Sequence, residues 1–367
     1  MTSLSDLPIR DDLRGKTPYG APQKVVPVAL NVNENTHPVP ADVAADIVAR
    51  ISAAMGSVNR YPDREFTELR ESFARYLGHG LTAENIWAAN GSNEVLQHIL
   101  QAFGGPGRTL LGFSPTYSMY PLLASGTGTG WIAAARDDEF ELSAETAAEQ
   151  IRREDPDIVI LCSPNNPTGT PLSLATIEAA YEAARGIVIV DEAYAEFMPD
   201  GEQTALSLLP GRPRLLISRT MSKAFAFAGA RVGYLAADPA VVDALRLVRL
   251  PYHLSALTQA AAVAALAHSA EMLAMVGEIR TQRDRLVTEL ARLGYQPHRS
   301  GSNFVLFGGV ADPHATFEAL LERGVLIRDV GIPNHLRVTA GTEEETTAFL
   351  DALAALGRPG APVNSLS

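Results

Sequence analysis

The stretch Thr220-Met221-Ser222-Lys223-Ala224-Phe225-Ala226-Phe227-Ala228-Gly229-Ala230-Arg231 follows an apolar run at 215–218. The run predicts a buried strand, so Lys223 should lie just past a strand end, between small residues. Burial there would disfavour the charged ammonium, lower the pKa of Lys223 toward neutrality and make the amine nucleophilic. Ser222 and Arg231 add a hydroxyl and a guanidinium, which suit an aldehyde that carries a phosphate. A solvated lysine in a loop explains the stretch equally well, so the rest of the chain must decide.

The composition is that of an ordinary globular protein with one large domain or two. Of the 367 residues, 46% are hydrophobic and 20% are charged. The net charge of −12 argues against generic nucleic-acid binding, although a local arginine cluster could still bind a small anion. Because Cys162 is the one cysteine, no intrachain disulfide is possible, which favours a reducing cytoplasm. We expect no signal peptide, because residues 1–6 have neither a basic nor an apolar region, and no membrane span, because no apolar run reaches about 20 residues.

Predicted strands and helices alternate from residue 109 onward. The strands are expected at 109–113, 131–135, 158–162, 187–190, 215–218 and 232–236. This alternation predicts an α/β fold with a mostly parallel sheet covered by helices on both faces. Long helices at 255–295 precede a smaller α/β part with strands at 304–307 and 336–339. We expect an N-terminal arm at 1–28, a large domain at 29–258 and a small domain at 259–367.

Polar clusters follow four of these strands. They are Ser114-Pro115-Thr116-Tyr117, Ser163-Pro164-Asn165-Asn166-Pro167-Thr168-Gly169, Asp191-Glu192-Ala193-Tyr194 and the lysine stretch itself. Ligands of parallel sheets bind outside the carboxyl ends of the strands, so the clusters should converge on one crevice. The run Gly126-Thr127-Gly128-Thr129-Gly130 leads into a strand rather than into a helix, which argues against a dinucleotide site.

Three further positions have both a functional and a structural interpretation. Ser92, in Asn90-Gly91-Ser92-Asn93-Glu94, could be the N-cap of a helix whose free amides bind an anion, or only a cap. Tyr61 lies in a polar turn before a predicted helix at 64–77. Its ring could be available to a ligand, or it could pack beneath that helix. Arg337 lies inside an apolar strand, where a surface role is less expected than for most arginines.

The clustered side chains match the needs of an aldehyde cofactor that acts as an electron sink. Asp191 could keep a ring nitrogen protonated, or merely cap a turn. Asn166 and Tyr194 could donate to a phenolate oxygen, although Asn166 could also be only a turn residue. Tyr117 could stack on the ring or pack in the core. Pyridoxal phosphate is the cofactor that fits this set.

With these motifs the chain resembles the fold-type I pyridoxal-phosphate aminotransferases, and more narrowly the histidinol-phosphate aminotransferases. The resemblance extends from Leu30-Asn31-Val32-Asn33-Glu34-Asn35 to Leu336-Arg337-Val338-Thr339-Ala340-Gly341. It implies an aspartate-aminotransferase-like large domain and amino transfer between histidinol phosphate and 2-oxoglutarate in histidine biosynthesis. Alternatives on the same scaffold are an aromatic (phenylalanine) aminotransferase and a decarboxylase of a phosphorylated amino acid. A non-catalytic cofactor-binding protein is disfavoured by Lys223 together with Asp191.

The resemblance also implies a role for each site residue. The catalytic residues would be Lys223, Asp191, Tyr194 and Asn166, with Lys223 both binding the cofactor covalently and moving the proton. Pyridoxal 5'-phosphate would be held by Lys223, Ser92, Asn93, Tyr117, Asn166, Asp191, Tyr194, Ser222, Arg231 and Tyr61. The substrates would be bound by Arg337, Arg328, Tyr19 and Asn33. No metal is implied.

The same resemblance implies a cytoplasmic homodimer in which Tyr61 and Tyr19 reach across the interface, with no nucleic-acid or membrane partner. Two departures from the family bear on selectivity. Asn93 replaces a frequent aspartate, and the segment between Arg328 and Arg337 is short. That segment borders the substrate pocket, so it affects the choice of substrate more than the chemistry.

Overall fold

The structure is a computed structural model that describes residues 3, 6–18, 20–201 and 203–357. Within these residues lie twelve strands: β1 (Val28–Ala29), β2 (Ile86–Ala89), β3 (Thr109–Ser114), β4 (Gly130–Ala135), β5 (Ile158–Cys162), β6 (Ile187–Asp191), β7 (Leu215–Thr220), β8 (Gly233–Ala236), β9 (Gln296–Pro297), β10 (Phe304–Gly308), β11 (Val325–Leu326) and β12 (Leu336–Thr339).

The same part of the chain forms eleven α-helices: α1 (Ala41–Met55), α2 (Thr67–Leu77), α3 (Ser92–Phe103), α4 (Met119–Thr127), α5 (Ala144–Glu154), α6 (Leu174–Ala183), α7 (Pro239–Val248), α8 (Ala256–Ala267), α9 (Ser269–Arg292), α10 (Pro313–Glu322) and α11 (Glu343–Ala354). No single described helix is long and apolar enough to cross a membrane. α8 and α9 reach that length and hydropathy only together, and they meet at a bend of 73°.

The main sheet has the strand order β2-β8-β7-β6-β5-β3-β4. The strands from β4 to β7 pair in parallel, whereas β8 runs antiparallel to both of its neighbours. Every residue of β5 and β6 is buried. Such continuous burial is typical of parallel strands that are covered on both faces. The predicted α/β class with a mostly parallel sheet is confirmed.

A second, smaller sheet is built from the C-terminal part of the chain. β10 lies between β12 and β9 and is antiparallel to both. β1 pairs in parallel with β11, so the segment at the end of the predicted arm is joined to this part. The bounds of the three predicted domains stay a prediction.

The N-terminal arm lies on the main sheet's helices rather than forming a core of its own. Arg10 donates hydrogen bonds to the Ser125 and Gly126 carbonyl oxygens at 3.1 and 3.4 Å, where α4 ends. Tyr19, predicted to bind substrate, lies outside the described residues.

Three local features differ from the interpretations of the sequence or were missed by them. β2 was not predicted, because four apolar residues before a polar turn are too few for a clear pattern. Ser92 is the first residue of α3 rather than its N-cap, which is Gly91 at φ +87°. Tyr61 does not pack beneath α2 but is 79% exposed.

Candidate active site

A cavity of about 390 Å³ opens at the carboxyl ends of the parallel strands. Asp191 is the last residue of β6, and Lys223 follows the end of β7 by three residues. Twelve of the predicted site residues line this cavity: Asn33, Ser92, Asn93, Tyr117, Asn166, Asp191, Tyr194, Ser222, Lys223, Arg231, Arg328 and Arg337. The polar clusters therefore converge as the strand order predicts.

Lys223 has the environment of a nucleophilic amine. Its Nζ donates a hydrogen bond to the Val32 carbonyl oxygen at 2.9 Å. Burial lowers the pKa of Lys223 to about 8, and the positive charges of Arg337 and Arg231 act in the same direction. The Glu34 carboxylate opposes this shift. At pH 7.4 about a fifth of the amine is then neutral, whereas less than about 0.1% would be neutral at an ordinary lysine pKa. A reactive amine is thus available near neutral pH.

Asp191 is a carboxylate at the floor of the cavity and is 3% exposed. Its Oδ2 accepts a hydrogen bond from the Tyr120 hydroxyl at 2.8 Å, and its Oδ1 accepts one from Ser218 Oγ at 3.1 Å. Burial raises the pKa of Asp191, and these two hydrogen bonds oppose the rise. A buried carboxylate supported in this way is suited to pair with a cationic group of a bound molecule.

Tyr194 lines the cavity, and its hydroxyl oxygen already accepts two hydrogen bonds. Asn33 Nδ2 donates to it at 3.0 Å, and Asn166 Nδ2 donates to it at 3.4 Å. Because both amides donate to the oxygen, the hydroxyl hydrogen is available for a ligand. Thr339 fixes the Asn33 amide by accepting from its backbone N–H and donating to its Oδ1, each at 3.1 Å. Asn33 therefore orients Tyr194, in addition to any contact with substrate.

Arg337 of β12 and Arg328, which follows β11 by two residues, face each other across an isolated β-bridge. Arg328 N donates to the Arg337 carbonyl oxygen at 3.0 Å, and Arg337 N donates to the Arg328 carbonyl oxygen at 2.9 Å. Arg337 is 6% exposed, and its Nη1 and Nη2 donate to Asn166 Oδ1 at 2.6 Å and to the Asn31 carbonyl oxygen at 2.8 Å. Both side chains reach the cavity wall, which also carries the Asp329 carboxylate, so this end of the cavity has two positive charges and one negative charge.

A second cationic end lies where α3 begins. Arg231 Nη1 donates to Ser222 Oγ at 3.3 Å and to the Ala228 carbonyl oxygen at 3.1 Å. A Cβ on Gly91 would lie 2.5 Å from Arg231 Nη2, so only glycine allows the guanidinium to approach the start of α3. Ser92 adds its hydroxyl and the helix its free N–H groups. This arrangement suits a phosphate.

A family model, aminotransferase class I and II, matches residues 26–353. The chain belongs to the class I and II aminotransferase family. A histidinol-phosphate aminotransferase of Paenarthrobacter aurescens is 66% identical over 356 residues, covering 96% of each chain. The predicted enzyme class is confirmed by this membership.

Solved structures give the same fold. The crystal structure of histidinol-phosphate aminotransferase from Sinorhizobium meliloti in complex with pyridoxal-5'-phosphate matches with a TM-score of 0.79 at 24% identity. It covers 90% of this chain and 92% of that one. An aspartate aminotransferase mutant of Thermus thermophilus also matches with a TM-score of 0.79 at 24% identity, covering 95% and 99%. The aspartate-aminotransferase-like architecture predicted for this aminotransferase is confirmed.

The cavity residues fit pyridoxal phosphate, the cofactor predicted from the sequence. Lys223 supplies the amine, Asp191 the buried counter-charge for a ring nitrogen, and Arg231 with the start of α3 the phosphate cradle. The Asn93 Oδ1 atom is buried and accepts no hydrogen bond from the described residues, as expected where a ligand donor is to be placed. Asn93 Nδ2 lies 3.5 Å from the Tyr117 hydroxyl. The individual roles of these residues stay predictions.

Tyr61 is not among the residues that line the cavity of its own chain. Its ring stacks on Tyr252 at 4.4 Å between centroids, on the surface. Residues that no sequence motif indicated also contribute to the aminotransferase site. Thr339 and Tyr120 support Asn33 and Asp191, and Asp329 lines the cavity beside Arg328. Tyr120 follows Tyr117 by three residues, but Tyr117 precedes α4, so the contact between their rings could not be read from helical spacing.

Proposed function

We propose that this aminotransferase exchanges an amino group between histidinol phosphate and 2-oxoglutarate, with pyridoxal phosphate as cofactor, in histidine biosynthesis. The observation that carries the substrate assignment is the pairing of Arg328 with Arg337. The histidinol-phosphate aminotransferase that is 66% identical supports the same substrate.

Residues that exchange both backbone hydrogen bonds across an antiparallel pair lie about 5.5 Å apart between their Cα atoms and share a face of the sheet. Like charges in that position repel each other, and a bound anion would reduce the repulsion between Arg328 and Arg337. A doubly charged phosphate would offset both charges, whereas a single carboxylate would offset one. Phenylalanine would offset one charge through its carboxylate, and its neutral side chain would not offset the other. The pair therefore favours a substrate that carries a phosphate.

The cofactor site is assigned to the opposite cationic end. Arg231, Ser222 and Ser92 would hold the cofactor phosphate, and Asp191 would face the ring nitrogen. When bound, pyridoxal phosphate supplies the aldehyde that takes up the amino group and a ring that accepts electrons from the substrate Cα. Tyr194 and Asn166 would donate to its phenolate oxygen.

Lys223 is proposed to act twice. Its neutral amine would hold the cofactor through the aldehyde. Once released, the amine would remove the proton from the substrate Cα and would return a proton in the second half of the exchange. A pKa of about 8 suits both tasks, because the amine then accepts and releases protons near neutral pH. Arg337 would bind the α-carboxylate of glutamate in one half-reaction and the phosphate in the other.

The test compares two amino donors with the same preparation of purified protein. Purified protein reconstituted with pyridoxal phosphate is assayed with 2-oxoglutarate and either histidinol phosphate or phenylalanine. We expect kcat/KM for histidinol phosphate to exceed that for phenylalanine by at least about tenfold, the value of one charge-assisted hydrogen bond. A higher kcat/KM for phenylalanine would replace the proposal by an aromatic aminotransferase. Release of CO₂ from a phosphorylated amino acid supplied in a parallel assay, without glutamate formation, would indicate a decarboxylase.

The protein is further proposed to be a homodimer in which Tyr61 completes the site of the partner. We define the Tyr61 face as the exposed apolar side chains Met55, Val58, Tyr61, Leu247, Leu250 and Tyr252. Tyr61 stacks on Tyr252 within this set, and exposed apolar side chains that contact each other are typical of a protein interface. Tyr61 is absent from its own cavity, so a contribution to phosphate binding would have to be made to a second copy.

Hybrid dimers test this arrangement. Tyr61→Ala and Lys223→Ala each lack a different part of the site, so a mixed dimer would contain one site with neither change. We expect the mixture to regain activity after subunit exchange, up to about a quarter of the wild-type value. Absence of recovery after exchange has been demonstrated by mass-tagged subunits would contradict shared sites.

A cytoplasmic location is also proposed. Cys162 is buried and free, which suits a reducing compartment. Fractionation of cells that express the native protein would test this, and recovery in a membrane or external fraction would contradict it.

A further inference from the structure

Tyr120 lies behind the cavity floor, where no assigned function needs it. It is 1% exposed and lies in the first turn of α4. Its hydroxyl donates to Asp191 Oδ2 at 2.8 Å, the shorter of the two side-chain hydrogen bonds that Asp191 accepts. A fully buried phenol aimed at a single carboxylate oxygen is an arrangement that constrains both groups.

The direction of this hydrogen bond is determined by the neighbouring groups. Cys162 also lies beside the Tyr120 hydroxyl, but its own S–H donates to the Pro164 carbonyl oxygen at 3.6 Å. Burial raises the pKa of both the Cys162 thiol, to about 12, and the Tyr120 phenol, so both groups stay neutral. The charged Asp191 oxygen is the stronger acceptor of the two, and it receives the phenol proton.

The ring of Tyr120 has a second neighbour in the site. It packs edge-to-face on the Tyr117 ring, with 5.4 Å between centroids and an interplanar angle of 88°. Tyr117 lines the cavity and is predicted to stack on the cofactor ring. One buried side chain therefore contacts both the residue expected against the face of that ring and the carboxylate expected at its nitrogen.

We propose that Tyr120 is a positioning residue, whose hydroxyl holds the Asp191 carboxylate in the orientation and ionised state that the ring nitrogen of pyridoxal phosphate requires. The inference rests on the proposed function, because it needs pyridoxal phosphate to occupy the cavity. Tyr120 itself touches neither substrate nor cofactor in this account. It acts through Asp191.

The groups around Asp191 make this role sensitive to pH. Ser218 from β7 donates to the other oxygen, the Cys162 thiol lies on the β5 side, and Glu192 follows along the chain. Burial and the Glu192 charge favour a protonated Asp191, while Tyr120 and Ser218 favour the carboxylate. Loss of the Tyr120 hydroxyl removes the larger of these two opposing hydrogen bonds, so Asp191 should take up its proton at a higher pH.

The experiment measures cofactor affinity rather than turnover. Apoprotein of wild type and Tyr120→Phe is titrated with pyridoxal phosphate and with 1-deazapyridoxal phosphate, in which carbon replaces the ring nitrogen, from pH 6 to 9. Tyr181→Phe, which removes the hydroxyl of another buried tyrosine of the same domain, is the matched control. Ser218→Ala, which removes the longer hydrogen bond, is a second variant.

We expect Tyr120→Phe to weaken pyridoxal phosphate binding by about tenfold at neutral pH, more at pH 6 and less at pH 9. Binding of the deaza analogue should change by less than about twofold, since it offers Asp191 no partner. Ser218→Ala should also weaken the binding of pyridoxal phosphate more than that of the deaza analogue, by a smaller factor. Tyr181→Phe should weaken the binding of neither ligand. In an Asp191→Asn background, Tyr120→Phe should have little further effect on either ligand.

Three results for Tyr120→Phe would assign the hydroxyl to general stability and overturn the inference. They are equally weakened binding of both ligands, an effect that adds to that of Asp191→Asn, and loss of the fold. Unchanged binding of pyridoxal phosphate would overturn it as well. Wild-type protein that fails to bind pyridoxal phosphate would instead overturn the proposed function on which it rests. The two failures are therefore distinguishable.

Discussion

Replacing Arg328 with alanine separates the two half-reactions of the proposed exchange. The backbone bridge to Arg337 should persist, because its hydrogen bonds at 2.9 and 3.0 Å join main-chain atoms. What is lost is one guanidinium at the cationic end of the cavity. Arg337 stays anchored to Asn166 and to the Asn31 carbonyl oxygen, so a single carboxylate keeps its partner.

The magnitude follows from the number of hydrogen bonds lost. A hydrogen bond to a charged group contributes about 1.5–3 kcal/mol, which corresponds to about 10- to 150-fold in kcat/KM. We expect a loss of this size in the half-reaction with histidinol phosphate and a loss of less than about threefold with glutamate. Arg337→Ala should impair both half-reactions, since it removes the guanidinium that both anions need.

The assay follows single-turnover conversion of the bound cofactor by each amino donor separately, from the change in its absorption. Arg292→Ala, an exposed arginine of α9 outside the cavity, controls for the change in net charge. Equal losses with the two donors in Arg328→Ala would refute the assignment of Arg328 to the phosphate.

Three further predictions concern charge and protonation. Asp191→Asn should retain cofactor but lower kcat by about 10²–10³-fold, and near-normal kcat in stopped-flow assays would make Asp191 structural. Cofactor uptake by apoprotein should accelerate about tenfold per pH unit up to about pH 8 and level off above it, because the neutral amine of Lys223 reacts; a pH-independent rate would argue against a lowered pKa. Burial lowers the pKa of His98 to about 4, below its value of about 6.5 in the unfolded chain. The folded state therefore favours neutral His98. The free energy of unfolding should be highest above pH 6.5 and should fall by up to about 3 kcal/mol as the pH drops toward 4. His98→Gln, which keeps an acceptor for the Trp87 indole N–H, should lose this part of the pH dependence in urea titrations.

The central parallel strands β5, β6 and β7 were predictable because all of their residues are buried. The apolar run at 158–162 matches β5 residue for residue, and the runs at 187–190 and 215–218 each stop within two residues of the strand end. Continuous burial produces continuous apolar sequence, and the polar side chains that follow mark where each strand ends. The crevice could be inferred from this topology alone, before any contact was known.

The parts that escaped prediction depend on contacts between distant segments. The hydrogen bond from Tyr120 to Asp191 joins residues 71 positions apart, and no local pattern reports it. The facing of Arg328 and Arg337 follows from a backbone bridge, whereas the sequence shows only two arginines in neighbouring segments. Asn33 was predicted from the resemblance as a substrate residue, and its hydrogen bond to Tyr194 became visible only in three dimensions.

Chemical trapping at Lys223 tests the central claim most directly. Protein loaded with pyridoxal phosphate is treated with sodium borohydride, digested and mapped by mass spectrometry, with Lys223→Ala as the control. We expect the cofactor to be fixed on the peptide that contains Lys223, and Lys223→Ala to carry no label and to lose essentially all amino transfer. A label on another lysine, or undiminished transfer from histidinol phosphate in Lys223→Ala, would contradict the account.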